Sequence, residues 1–485
     1  MGGHDSVPIL NMPSDSRIQG LKDHFLNEFG CEPDFIARVP GRVNIIGEHI
    51  DYCGYPVLPM ALEQDILIAG KIINDYKICL RNKNCTYKSK DFNIKNHNDI
   101  KIEADLNGKP YWYNYVLCGV KGALEYLNNE VSRGLQLCVD GNIPPASGLS
   151  SSSALVSAAC LTFLYAQKAS LNKKDIASLC ARSERYIGTQ GGGMDQAIAF
   201  LAEKYCAQYI TWNPLKATKV LLPENASFVV AHSLSELNKA ATNDYNRRVI
   251  ECRFAAKILA LSTDGVNDHN IITLSQVQKL LNKNLEHMII LVHEKLPKEI
   301  YTKEEVCSIL NITEDEMSNF YLTPNTIHLQ EFKLKQRALH VYEEALRVDA
   351  FRNICTNSVK NGELNGALNG IGDLNNCEDK NDTLTKLGEL MSKSHESLKT
   401  LYECSHENLD ILVDISKQMN IHSRLTGAGW GGCIVALCPN DKINDYIEML
   451  ENEFYIKYCN IDKASAKSYV FATSPNYGAA IYVNE

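Results

Sequence analysis

The chain has 485 residues, 45% hydrophobic and 22% charged, a composition that provides core for two or three domains and excludes a disordered chain. A formal net charge of -9 with no Lys/Arg run excludes a nucleic-acid binder, because phosphate backbones demand a basic face. Seventeen cysteines without a C-x-x-C pair exclude a secreted disulfide scaffold, and no stretch approaches the ~20 apolar residues of a transmembrane helix.

A reduced, cytoplasmic protein is expected. On that expectation the sequons at Asn84, Asn225, Asn311 and Asn381 are chance matches, since glycosylation requires secretion. Met1-Gly2 with Ser6 satisfies the short myristoylation pattern but lacks the polybasic patch or second anchor that stable membrane attachment needs.

From Phe35 to Ile73 short apolar runs with Pro and Gly punctuation predict strands, one over Asp65 to Ala69. After Pro144-Pro145 a Ser/Gly segment leads into Ala154 to Leu161, an apolar run of buried-helix length. A further helix is expected over Lys174 to Tyr186, ending near Gly188. Ser227 to Ala231 predicts a strand.

Between Tyr245 and Leu401 helical patterns prevail: Leu334, Ala338, Val341, Ala345 and Val348 fall at helical spacing, and Thr302 with Glu305 forms a capping-box candidate. Asn353 to Asp382, rich in Asn, Gly and Asp, predicts a flexible surface insertion. Cys433 to Leu437 and Tyr469 to Ala472 predict strands near the end of the chain.

Four segments carry chemistry. Pro40 to Tyr52 puts Arg42, Glu48, His49 and Asp51 within ten residues bracketed by Gly41 and Gly47, an arrangement suited to a polyhydroxylated ligand; its bland alternative is a polar loop between strands. Ser147-Gly148-Leu149-Ser150-Ser151-Ser152-Ser153 feeds the N-terminus of an apolar helix, where backbone N–H groups and the helix dipole favour phosphate. A hydroxyl of Ser150 or Ser151 could reach magnesium.

The third segment is Gly191-Gly192-Gly193, three residues without side chains that leave Asp195 accessible as a base. A helix cap is the other reading of Asp195, and Glu184 is either a surface acid or a metal ligand. Fourth, Thr426 to Gly432 matches the dinucleotide pattern G-x-G-x-x-G and so raises an oxidoreductase. The strand-like run that follows it immediately disagrees with that fold context and favours a tight loop against substrate or phosphate. No Walker P-loop occurs.

Together, Pro40 to Tyr52, Ser147 to Ala154 and Leu425 to Gly432 resemble the three motifs of the GHMP kinases, the small-molecule kinases named for galactokinase, homoserine kinase, mevalonate kinase and phosphomevalonate kinase. Gly41 to Tyr52 looks like the galactokinase signature, and Ser394-His395, Tyr402-Glu403 and Leu409-Asp410 are similar to later segments of that subgroup. Ile50, Cys53, the glycine triplet and Asn238 to Thr242 look more like the N-acetylgalactosamine kinases.

The resemblance implies an α/β (α+β) fold of two domains: an N-terminal ribosomal-protein-S5-like domain over 20–225 that binds sugar and nucleotide, and a C-terminal, helix-rich ferredoxin-like domain over 226–485, with the insertion near 353–382. It further implies an ATP- and Mg2+-dependent kinase acting on the anomeric hydroxyl of N-acetylgalactosamine, with some activity on galactose. A galactokinase is one alternative. A sugar- and ATP-binding transcriptional sensor is another, opposed by the intact loop from Gly148 to Ala154 and by Asp195.

By the same resemblance Asp195 and Arg42 are catalytic, Arg42 keeping Asp195 ionised, and Glu48, His49, Asp51, Gly193, Asn238 and Tyr245 join them in holding the sugar. Gly148, Leu149, Ser150, Ser151, Ser152, Gly427 and Gly429 would bind ATP, and Ser151 with Glu184 the metal. The implied partners are a small sugar and ATP, with no nucleic acid and no membrane, acting on a monomer.

Overall fold

The structure, a computed structural model, describes residues 5–106, 108–128, 133–235, 243–261, 271–368 and 376–484. The chain forms two compact units, neither contiguous: Met1–Arg42, Met60–Lys204 and Pro475–Glu485 make the first, Val43–Pro59 and Tyr205–Ser474 the second. This differs from the expected single division near residue 225. The strand Phe35–Ile46, buried along its whole length, serves the first unit up to Arg42 and the second from Val43 onward.

In the first unit a mixed sheet is built from β1 (Ile9–Asn11), β2 (Phe35–Ile46), β3 (Leu58–Ile73), β4 (Lys77–Asn82), β5 (Lys90–Asn93), β6 (Gly134–Gly141) and the C-terminal strand Ala480–Val483. The C-terminal strand lies between β1 and β2, parallel to β1 and antiparallel to β2, with Ile481 opposite Ala37. β3 and β6 are antiparallel with Ile68 opposite Val139, and β4 runs parallel to β6. The strand expected over Asp65 to Ala69 lies inside β3.

Among the described residues five α-helices accompany this sheet: α1 (Ser16–Phe29), α2 (Trp112–Tyr126), α3 (Ser151–Ala166), α4 (Lys173–Glu184) and α5 (Met194–Leu201). α3 is apolar nearly all round, as a helix enclosed by neighbours must be. Glycines on α2 set the spacing: a Cβ on Gly119 would lie 2.3 Å from the Val156 carbonyl of α3, and one on Gly122 would lie against Ser183 of α4. α4 gives way to a single 3-10 turn and then Gly188 at φ 95°, the stop the sequence predicts.

The second unit begins, after Val43–Pro59, with the hairpin β7 (Cys206–Thr211) and β8 (Lys216–Leu221), followed by β9 (Ala226–His232). A helical stretch follows, with α6 (Asp244–Leu261), α7 (Leu274–Leu281), α8 (Leu285–Lys295), α9 (Lys303–Leu310), α10 (Glu314–Phe320), α11 (Leu334–Leu368) and α12 (Asn376–Thr400), and a short antiparallel pair, β10 (Tyr301–Thr302) with β11 (Glu331–Phe332). The Thr302/Glu305 capping box is present at α9.

The chain then adds α13 (Glu407–Gln418), β12 (His422–Thr426), β13 (Cys433–Pro439), α14 (Ile443–Leu450) and β14 (Val470–Thr473). Sheet order β12-β13-β9-β14, antiparallel throughout, with the chain order β9, α13, β12, β13, α14, β14, is the ferredoxin-like βαββαβ arrangement, its first connection expanded by the helical stretch.

The flexible insertion expected near 353–382 is helical wherever its backbone is described: α11 continues to Leu368 and α12 starts at Asn376. A helix nucleated on the apolar positions from Leu334 to Val348 extends through polar residues at a small cost per residue, so polar composition alone does not end it. Among the described residues no helix is long and apolar enough to cross a membrane.

Candidate active site

In the first unit the serine loop bends through left-handed positions at Ala146 (φ 55°), Gly148 (φ 75°) and Ser150 (φ 65°) before α3 begins. Several helices among the described residues carry a side-chain cap, such as Asp15 on α1 and Asn172 on α4. Ser150, at the N-cap of α3, makes no capping bond, and its buried Oγ has no partner among the described residues. No acceptor for the Ser151, Ser152 and Ser153 N–H groups is found among the described residues, which fits an anionic ligand at this helix end.

β2 anchors this loop. The backbone N–H of Arg42 donates to the Leu149 carbonyl at 3.1 Å, its Nη1 donates to the Gly148 carbonyl at 2.5 Å, and a Cβ on Gly41 would lie 2.8 Å from Leu149 O. Buried Arg42 also donates through Nε to Asp195 Oδ1 at 2.8 Å. Asp195 stands in the first turn of α5, whose N-cap is Gly193 at φ 106°, so its carboxylate is turned to Arg42 and Ser153 instead of capping the helix. Nothing lies within 4 Å of a Cβ placed on Gly191.

The serine that meets Glu184 is Ser153, not Ser151. Its hydroxyl donates to Glu184 Oε2 at 2.7 Å and lies 3.2 Å from Asp195 Oδ2, while Gln196 Nε2 donates to the same Glu184 oxygen. The reason is helical phase: Ser151 opens α3, and Ser153, two residues on and buried, faces α4. Magnesium takes oxygen donors, one or two from carboxylates, with water and phosphate filling the rest of its shell. Ser153 and Glu184 fit that requirement.

In the second unit Glu48 and His49 are both buried, and the glycine-rich loop Gly427 to Gly432 closes on them. Glu48 Oε1 accepts from Gly427 N at 2.6 Å and lies 3.7 Å from Arg424 Nη2. His49, itself at φ 63°, has its Nε2 2.8 Å from the Ala428 carbonyl and its Nδ1 2.7 Å from the Tyr52 hydroxyl. Its ring packs against those of Tyr402 and Tyr245, with centroids at 4.7 Å and 5.6 Å. Tyr245, expected to hold sugar, is thereby placed next to His49, and half-buried Asp51 opens a 3-10 turn close by in sequence. Asn238 lies outside the described residues.

The loop is a β-to-β connection, joining antiparallel β12 and β13 with no helix after it, which removes the dinucleotide-binding reading. Its glycines admit the chain's own backbone at close range. A Cβ on Gly429 would lie 2.0 Å from the Cys404 carbonyl, and one on Gly431 2.5 Å from that of Ser235. Trp430 N donates to Cys404 O and Gly432 N to Ser235 O, at 2.6 and 2.8 Å.

A buried ion network fixes the segment that receives this loop. Glu251 accepts from Arg337 at 2.8 Å and from Arg248 at 3.1 Å, and both arginines continue to the 401–403 stretch: Arg248 to Tyr402 O, Arg337 to Leu401 O and the Glu403 carboxylate. Sequence reading missed Ser153, Gln196 and this network. The four-serine run was a signal for the first; nothing local marked the others. Exposed Tyr111 stacks on Tyr113 at 5.1 Å, and Trp112 donates its indole N–H to Lys88 O.

Three family models match the chain: the galactokinase galactose-binding signature over residues 23–72, the GHMP kinases N terminal domain over 114–203 and the GHMP kinases C terminal over 380–457. The chain is 39% identical to a galactokinase of Dictyostelium discoideum, over 96% of this chain and 94% of that protein. It is 32% identical to a galactokinase of Saccharomyces cerevisiae, over 99% and 97%. Among solved structures, Lactococcus lactis galactokinase complexed with galactose superposes with a TM-score of 0.71 at 22% identity, covering 96% of this chain and 99% of that one, a likeness of fold.

Proposed function

This chain belongs to the GHMP kinase family and is an ATP-dependent sugar kinase that works with Mg2+; we propose that its sugar is galactose and its product galactose 1-phosphate. The observation that carries this reading is the match of the galactose-binding signature to 23–72, the segment containing Arg42, Glu48, His49 and Asp51. Two relatives that span nearly the whole chain, named galactokinase, support it. The likeness of Ile50, Cys53 and the glycine triplet to N-acetylgalactosamine kinases finds no support among them, and galactose replaces N-acetylgalactosamine as the preferred substrate.

In the proposed reaction Asp195 accepts the proton of the C1 hydroxyl, the C1 oxygen forms a bond to the γ-phosphorus of ATP, and the bond from that phosphorus to the β-bridging oxygen breaks to release ADP. Arg42 holds the Asp195 carboxylate in place through its 2.8 Å contact. The open N-terminus of α3 supplies N–H donors to phosphate oxygens, and Glu48 and Asp51 take sugar hydroxyls. Ser153 and Glu184 would hold magnesium, which would supply neutralisation of phosphate charge. A reducing cytosol suits the reading, since every cysteine named among the described residues is free.

The test is ATP- and Mg2+-dependent turnover of galactose and N-acetylgalactosamine side by side, with the phosphorylated position identified by 31P NMR. Faster turnover of galactose at C1 is expected; equal or faster turnover of N-acetylgalactosamine overturns the substrate, and binding without turnover of either favours the sensor. Asp195→Asn should still bind galactose while losing about 10²–10⁴-fold in kcat. A variant that keeps most of its rate removes Asp195 as the base.

A further inference from the structure

We propose that His49 is a positioning residue, not a sugar ligand, and that it fixes the Ala428–Gly429 peptide so that the Gly429 N–H serves as a donor to a phosphate oxygen of the nucleotide. The inference rests on the sugar-kinase reading above and deepens it.

The direction of each hydrogen bond follows from what the atoms can do. A carbonyl oxygen only accepts, so the 2.8 Å contact with Ala428 O places a proton on His49 Nε2. Nδ1 of the neutral ring then accepts from the Tyr52 hydroxyl at 2.7 Å, and the Tyr52 oxygen accepts from the Tyr402 hydroxyl, also at 2.7 Å. Burial pushes both tyrosines well above their usual range, so both remain donors. The three side chains form a one-way chain ending on a backbone carbonyl, and both ring nitrogens of His49 are engaged within it.

The carbonyl held by His49 and the N–H of Gly429 belong to one planar trans peptide, in which they point in opposite directions. Fixing one aims the other. The peptide needs fixing because one of the two torsions that turn it is φ of Gly429, at 83°, and Gly427, also at φ 83°, stands one residue before it; glycine resists rotation least. Neighbouring N–H groups are engaged internally, those of Gly427, Trp430 and Gly432 by Glu48, Cys404 and Ser235. The N–H groups of Ala428 and Gly429 have no partner among the described residues, although both residues are buried. Buried backbone donors are rarely left without an acceptor, and an anionic oxygen is the acceptor that adjacent left-handed positions favour.

The test compares His49→Gln, His49→Asn and Tyr52→Phe, using whichever sugar the wild-type protein phosphorylates, so that a wrong sugar assignment does not count against the inference. A Gln side chain can put a donor near the Nε2 position, whereas Asn reaches only the Nδ1 position. Loss of one oriented donor to a transferring group lowers rate by roughly 10²-fold, so His49→Asn should lose about that much in kcat/KM for ATP while its calorimetric Kd for sugar stays within about threefold. His49→Gln should recover to within about tenfold of wild type. Tyr52→Phe should fall between them.

Independently of activity, 15N NMR of histidine-labelled protein, assigned with the His49→Gln variant, should show His49 protonated at Nε2 and bare at Nδ1. A proton on Nδ1 alone overturns the proposal. So does a sugar Kd raised tenfold or more in both His49 variants with ATP kinetics unchanged, or a Gln variant as impaired as Asn. If His49→Asn fails to fold, the Gln and Tyr52→Phe variants and the NMR signature still decide.

Discussion

Ser153 shows what one side chain's phase on a helix decides. It donates to Glu184 at 2.7 Å and lies 3.2 Å from Asp195, so one hydroxyl ties the carboxylate proposed to hold the metal to the proposed base. Ser153→Ala should raise the Mg2+ concentration for half-maximal rate by about tenfold, the usual scale for losing a metal-orienting contact, and leave sugar binding intact. Ser151→Ala should change it little; equal effects in a Mg2+ titration of the two variants would return the role to Ser151. Arg42, Glu48, His49 and Asp51 were legible in the sequence because so many polar functional groups within ten residues, bracketed by glycine, are a poor way to build a core. Which serine faces Glu184, and that His49 faces a carbonyl, were not, because each depends on a partner supplied by a distant segment. His406 caps α13, its Nδ1 accepting from Asn408 N.

Helix α2 places α3 and α4 through two glycines, and the balance of terms there can be worked out. Replacing a mid-helix glycine by alanine gains up to about 1 kcal/mol of helix propensity. At Gly119 the new methyl would meet the Val156 carbonyl at 2.3 Å and the Cys160 N at 2.8 Å, backbone atoms that cannot swing aside. Overpacking of this kind costs about 1–3 kcal/mol, so Gly119→Ala should lower stability to denaturant and weaken Mg2+ dependence through α3. Gly20→Ala on α1 meets only the flexible end of Lys83, at 3.2 Å, and should be neutral or stabilising. Matching urea midpoints for the two variants would contradict this account. Elements with strong periodicity, such as β9, β13 and the first half of α11, were readable. Pairing was not: β9 lies beside β13 and the C-terminal strand beside β1, partners that local patterns cannot name.

At the scale of the whole molecule, acid should destabilise the fold as pH falls through about 6.5. Burial lowers the pKa of His340 from 6.5 to about 4, its Nε2 donating to Glu48 O at 3.1 Å and its Nδ1 accepting from Ser397 at 2.8 Å. Between those values the unfolded chain binds a proton that the native state refuses, so stability falls as pH falls through that window, by on the order of 3 kcal/mol at most. Glu344 follows: burial alone would raise it, but Arg347, His340 and Arg424 bring it from 4.5 to about 2, and its contribution is lost as pH drops through that second window. Urea midpoints should therefore decline from pH 7.5 to pH 5, and His340→Gln should flatten the decline; a wild-type midpoint independent of pH over that range would refute it. The second unit's interleaved chain bears on synthesis as well. Glu48 and the Gly427 N–H that it accepts from are 379 positions apart, so at translation rates of about 5–20 residues per second the carboxylate leaves the ribosome roughly 20–80 s before its partner exists. For that interval the nascent chain carries an acidic group destined for burial with nothing to bury it against, a period in which proteases and chaperones meet the protein before its substrates do.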